Sequence, residues 1–150
     1  MVTVGRNTTV GEIVLSQAGS LILLIGIASS LLLLSNVRNH LPPLSKNLAL
    51  ISQVSPFLLL TFCFVTDVRD IELVFRFGGE DLPLFYRISA VWSSRSGPLL
   101  LWAALMAIIT RAMSKKTDSV SIEVAIMHAW IALLLVLAAL LGPFDSTTSS

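Results

Sequence analysis

Five side chains in this sequence combine a reactive type with a telling position: Tyr86, Arg87, Trp92, Arg95 and His128. Arg87 lies beside Tyr86 and five residues before Trp92, in a segment where Leu84, Phe85, Ile88, Val91 and Trp92 fall at spacings 0, 1, 4, 7 and 8. That spacing draws one apolar face of a helix and leaves Arg87 off it. A guanidinium flanked by aromatic rings can hold a carboxylate in a bidentate grip. The same residues can equally anchor an interfacial helix, with Tyr and Trp marking the headgroup level and Arg snorkelling. Arg95 adds a second cation just downstream. His128 is the one ionisable residue well inside a long apolar run, some eight residues in, or about 12 Å at the helical rise. An imidazole at that depth is a candidate ligand, or a neutral group bonded to a neighbouring helix. His40 sits beside Pro42 and Pro43 in a loop and reads as solvated. The lone cysteine, Cys63, lies in an apolar run, so no internal disulfide or redox pair is available, and it reads as a small buried hydrophobe. Nothing resembles a phosphate loop, a catalytic triad or a zinc site.

The elements that must carry these residues are membrane helices. Of 150 residues, 55% are hydrophobic and 13% charged, and mean hydropathy is +0.86. A soluble domain carries nearer a quarter charged residues. The net charge of +1 gives no reason to expect nucleic acid. Four spans are expected, at about 13–34, 48–66, 98–113 and 120–141, each near the roughly 20 residues a bilayer requires. The first is longer than a signal-peptide core and is kept as a span. Ser16, Gly19, Leu23, Gly26 and Ser30 place small residues along one stripe of it, which lets another helix approach closely. Pro56 should kink the second span by removing a backbone bond. Pro98 suits a first-turn position of the third, with Ser96 as its N-cap. Asp118 or Ser119 would cap the fourth, and Gly142-Pro143 closes it.

Charge sets the expected orientation. Loop 35–47 holds Arg38 and Lys46 and no acid, and loop 111–118 holds Arg111, Lys115 and Lys116 against Asp118. Both are expected on the cytoplasmic or matrix side, which puts both termini and the mixed-charge loop 67–97 outside. Within that loop, Ile71, Leu73, Phe75 and Phe77 alternate with Glu72, Val74 and Arg76, a period of two that predicts a short strand ended by Gly78-Gly79. A lone strand would need to pair with another chain or further sequence. The amphipathic segment from Leu84 to Trp92 is expected to lie in the membrane interface. The fold class is therefore an all-α integral membrane bundle of four helices in one membrane domain, 1–150, whose outer loop carries a short strand and an interfacial helix. The tail 145–150 is polar and is expected to be frayed.

The segment 82–102, LPLFYRISAVWSSRSGPLLLW, resembles a pattern near the N-terminus of the cytochrome c-type biogenesis protein CcmF family and related haem-lyase subunits, LPxxYRxxxxWGxHEGSLLLW. Leu82, Pro83, Tyr86, Arg87, Trp92, Gly97, Leu99, Leu100, Leu101 and Trp102 match it. Ser93 stands where that family has Gly, Arg95-Ser96 where it has His-Glu, and Pro98 where it has Ser. Gly142-Pro143-Phe144 is similar to the family's NPF-like end. The resemblance implies haem as cofactor, with Tyr86, Arg87, Trp92 and Arg95 as contacts to a haem propionate or a partner, and His128 as a further candidate. Arg95 keeps a positive charge where the family has His but cannot serve as an axial ligand. The family's tryptophan-rich WGxxWxWD segment and its haem-ligating histidines have no counterpart here.

The expectation is a split N-terminal subunit of a cytochrome c maturation haem lyase, in a prokaryotic cell membrane or mitochondrial inner membrane. It would be a non-catalytic scaffold and docking surface. A second haem-lyase chain with the tryptophan-rich motif would supply most haem contacts, and apocytochrome c and a haem-delivery protein would be further partners, with lipid all round. The rival reading is a structural accessory subunit of a respiratory or other multi-subunit membrane complex. A small transporter would demand more polar residues at mid-membrane.

Overall fold

A computed structural model of the chain describes residues 4–36, 42–69, 71–79, 81–116 and 122–146. Six helices follow in order: α1 Val4–Ser35, α2 Pro43–Val65, α3 Glu72–Phe77, α4 Leu84–Ser93, α5 Gly97–Lys116 and α6 Ile122–Leu140. Four are long and apolar enough to cross a membrane: α1 over Ile13–Ser35, α2, α5 over Gly97–Lys115, and α6. The fold is the expected all-helical membrane bundle. α1 packs on α2 and α6, and α5 packs on the same two helices, so the four spans close a ring. His40, Arg38, Asp118 and Ser119 lie outside the described residues, as do Asp70, Glu80 and 147–150.

α1 and α2 start earlier than hydropathy alone places them. α1 reaches back to Val4, because residues 4–12 contain no proline to break it. It runs about 48 Å at the helical rise. α2 begins at Pro43, preceded by Pro42 in extended conformation. Pro fits the first helical position, where its missing N–H is not needed. Lys46 thus belongs to the first turn of α2, and Arg111, Lys115 and Lys116 to the end of α5. Arg111 Nε donates to Asn47 Oδ1 across 2.8 Å, tying these two ends together.

The small-residue stripe of α1 is filled from within the chain. A Cβ on Gly26 would lie 2.9 Å from the carbonyl oxygen of Ser52 in α2. That carbonyl is the one Pro56 leaves without its helical N–H. The Ser55 hydroxyl donates to it instead, at 3.2 Å. Alongside, Gln53 Nε2 donates to Ser30 Oγ at 2.9 Å, Ser30 Oγ donates to the Gly26 carbonyl, and the Ser29 and Ser52 hydroxyls share a bond of 2.8 Å. Both Ser30 and Gln53 are buried. Such bonds fasten helices whose alternative is an unsatisfied polar group in hydrocarbon.

The second glycine of the stripe receives the far end of the sequence. Beyond α6 the chain turns at Gly142, whose φ is +57°, a left-handed conformation that glycine adopts without cost. Pro143 and Phe144 then fold back onto α1. The Phe144 ring lies over Gly19, where any Cβ would overlap it, and Ser16 Oγ donates to the Phe144 carbonyl at 2.5 Å. Phe144 is 1% exposed and belongs to the main apolar cluster with Leu23, Phe64, Ile71, Val74 and Leu135.

The expected strand over 71–77 is a helix. Ile71 alone keeps strand-like pairing, as an isolated antiparallel bridge to Ser146, and the Glu72 N–H donates to the Asp145 carbonyl at 2.9 Å. From Glu72 the backbone coils, and a Glu72–Arg76 ion pair of 2.5 Å spans one turn. Burial explains the choice. Ile71 at 1% and Val74 at 0% point into the core, three residues apart, while Phe75 is 64% exposed. A period of three therefore describes the segment, and the expected need for an outside strand to pair its edges falls away. Nor is the tail wholly free, since Asp145 and Ser146 hold the start of this segment.

Candidate functional site

Four of the five residues singled out by sequence, Tyr86, Arg87, Trp92 and Arg95, lie near one end of the bundle, where α2 and α6 finish, α5 begins, and α3 and α4 lie across. α4 begins behind Pro83. Its Ala90 and Val91 are buried, and the helix packs on α2 and α5. Of the apolar stripe expected on this helix, Val91 is thus buried, whereas Leu84, Phe85, Ile88 and Trp92 are exposed, with Phe85 at 84%. Tyr86 is exposed as well. α4 therefore presents apolar side chains away from the bundle as well as toward it.

Arg87 is held by backbone. Its Nη1 donates to the Val65 carbonyl, the last residue of α2, at 3.0 Å, and its Nε donates to the Leu82 carbonyl at 3.0 Å. Carbonyls in the last turn of a helix have no helical partner, and a guanidinium fits them in charge and geometry. Arg87 thus pins α4 to the end of α2. Sequence could place the cation but not these acceptors.

Past α4 the chain makes a tight turn. Ser94 Oγ donates to the Val91 carbonyl at 2.7 Å and accepts from the Gly97 N–H at 3.0 Å. A Cβ on Gly97 would fall 1.9 Å from the Val91 carbonyl oxygen, so the turn closes only with glycine there. The side-chain cap of α5 is Ser94, not Ser96. The Ser96 hydroxyl is buried, and its oxygen has no hydrogen-bond partner among the described residues. Pro98 takes the first-turn position expected for it.

Arg95, on the rim of this turn, is exposed and lines a pocket of about 220 Å³ with Glu72, Arg76, Asp145, Leu73, Phe77, Leu141 and Gly142. Tyr86, Arg87 and Trp92 do not line it. These four candidates therefore divide three ways: Tyr86 and Trp92 exposed on α4, Arg87 in a backbone brace, and Arg95 in a separate pocket. Sequence reasoning missed this pocket because it set Arg76 and Glu72 on a strand. Their i, i+4 spacing was the signal available.

His128 lies elsewhere. It is buried on the face of α6 shared by Ile131, Ala132, Leu135 and Ala138, and its Nδ1 has no hydrogen-bond partner among the described residues. α6 runs from the Lys46–Arg111 end toward the α3–α4 end, and His128 is about 18 Å of helical rise short of Leu140. Cys63 is fully buried. Among the described residues no cluster of three His, Cys, Asp or Glu side chains could hold a metal.

No protein-family profile matches the chain, and no solved structure does. Curated proteins do match. The cytochrome c-type biogenesis protein ccl1 of Rhodobacter capsulatus is 34% identical over 56 residues, 37% of this chain and 9% of that protein. The chain is similar to cytochrome c biogenesis proteins of the CcmF type. CcmF of Pseudomonas fluorescens is 40% identical over 55 residues, 37% of this chain and 8% of its own. CcmF of Escherichia coli is 30% identical over 77 residues, 51% of this chain and 12% of its own. The matched stretches thus span about a tenth of these CcmF-type relatives. Together with the four apolar helices, this similarity supports an integral membrane protein.

Proposed function

We propose that this bundle serves a cytochrome c maturation haem lyase as a scaffold and docking module, working beside a chain that carries the tryptophan-rich motif and most of the haem ligands. The observation that carries the reading is the similarity to several cytochrome c biogenesis proteins. In support, the segment that resembles the CcmF pattern forms one continuous unit, α4, the Ser94–Gly97 turn and the start of α5. That unit is braced to α2 by Arg87 and presents Tyr86, Phe85 and Trp92 outward. The docking face is this side of α4, and haem or apocytochrome c meets the complex there. Haem, where bound, is held mainly by the partner. Lys46, Arg111, Lys115 and Lys116 collect at the other end of the bundle, which supports placing that end in the cytoplasm or matrix and the α3–α4 end outside. The first helix then enters, and the last leaves, on the outer side.

Affinity purification of the tagged chain from its native membranes tests this. The wild type should carry a haem-lyase chain with it, and Phe85→Glu should lose that partner while still inserting, because the spans are untouched. Recovery of a respiratory complex instead would favour an accessory subunit.

A further inference from the structure

The pocket around Arg95 is distinct from the docking face and has its own charge pattern. Two guanidinium groups, Arg76 and Arg95, and two carboxylates, Glu72 and Asp145, line it. Glu72 and Arg76 pair with each other, whereas Arg95 makes no hydrogen bond or ion pair with any other described residue. Leu73, Phe77 and Leu141 supply an apolar wall. Phe77 and Leu141 are partly open to the outside, at 39% and 42%. Its place in the fold is equally specific. Leu141 and Gly142 directly follow the last residue of span α6, and Arg95 stands two residues before span α5. The pocket therefore opens at the level where hydrocarbon gives way to headgroups.

A ligand of a single sign would be attracted by half of these groups and repelled by the other half. A ligand carrying an anion and a cation a few bonds apart satisfies both. We infer that this pocket seats the headgroup of a zwitterionic aminophospholipid, with the phosphate on Arg95 and Arg76, the primary ammonium on Asp145 and Glu72, and the glycerol and upper acyl chain along Leu73, Phe77 and Leu141. A primary ammonium brings three N–H donors to the carboxylates, whereas a trimethylated one brings none. The site therefore selects phosphatidylethanolamine over phosphatidylcholine. The inference needs only the membrane placement of α5 and α6 and is independent of any role in cytochrome maturation.

The test is lipid retention by the full chain, purified in detergent, exchanged into phosphatidylethanolamine, phosphatidylcholine or phosphatidylglycerol micelles, and read by native mass spectrometry. Phosphatidylethanolamine should be retained about tenfold more strongly than either of the others, the scale of one charge-assisted contact. Arg95→Gln and Asp145→Asn should each abolish the preference, and Arg95→Lys should keep part of it. Circular dichroism of the variants checks that helix content is unchanged. Should either variant fail to fold, competition on the wild type decides: soluble phosphoethanolamine should displace the lipid and inorganic phosphate should not. Equal retention of all three lipids, a preference for phosphatidylglycerol, displacement by inorganic phosphate alone, or a protein segment occupying the pocket in the purified chain would overturn the inference.

Discussion

Removing the Phe144 ring should loosen two distant parts of the protein at once. In the structure the ring fills the space left by the missing side chain of Gly19, Ser16 holds its carbonyl, and the two following residues hold the start of α3 through the Ile71–Ser146 bridge and the Glu72–Asp145 bond. Phe144 is 1% exposed, so truncation to alanine removes nearly all its contacts. Phe→Ala changes at such sites cost about 3–5 kcal/mol. Gly19→Ala introduces the opposite error, a Cβ that would lie 2.4 Å from the Phe144 ring, and overpacking of that kind costs about 1–3 kcal/mol. The two changes should compensate, because the new methyl enters the space the ring has left. The double variant should then be more stable than the sum of the single losses by at least about 1 kcal/mol. Reversible unfolding of purified chain in mixed micelles would measure the four corners of this cycle, and limited proteolysis at Gly78-Gly79 would report whether α3 has come loose in Phe144→Ala. Strict additivity, with a loss below about 1 kcal/mol for Phe144→Ala and no change in proteolysis, would refute the description of this contact as the clasp of the bundle.

Three further outcomes follow from the same structure. Gly97→Ala should destabilise the chain by about 1–3 kcal/mol, because its Cβ would meet the Val91 carbonyl at 1.9 Å, and thermal unfolding would register this as a lowered Tm. In a Cys63→Ala background, a cysteine at Phe75 should react with an impermeant thiol reagent from the outer face while one at Ser45 is protected, and the reverse pattern would invert the proposed orientation. The chain purified alone should show no Soret band after incubation with haem, and a band lost in His128→Ala would make His128 a ligand.

The spans were legible because each is a predominantly apolar run with two or fewer charged residues, and the ends of α5 and α6 were marked by Pro98 and by Gly142-Pro143. The segment 71–77 was misread because seven residues that alternate also contain a three-residue repeat. What decided between them was the docking of Ile71 and Val74 into the core, with the chain at Asp145 and Ser146 as backbone partner, and no local pattern announces a neighbour so far away in sequence. The stripe through Gly19 and Gly26 correctly announced close approach. It was silent on who approaches: for Gly26 a carbonyl released by Pro56, for Gly19 an aromatic ring from beyond α6. For Arg87, residue type offered either a carboxylate contact or an interfacial anchor, and neither reading named the carbonyls of Val65 and Leu82 that accept from its Nη1 and Nε. Arg76, Glu72 and Asp145 were not seen as neighbours of Arg95 because their meeting depends on α3 being a helix.

The proposed role is participation of this bundle in attaching haem to c-type cytochromes through the exposed side chains of α4. The most direct measurement is haem staining of denatured membrane proteins from cells lacking the chain, alongside cells complemented with wild type or with a Tyr86→Glu, Trp92→Glu variant. We predict that covalently bound haem is lost without the chain, restored by the wild type and not restored by the variant, although the variant accumulates in the membrane. Unchanged c-type cytochrome staining in cells lacking the chain would contradict the account.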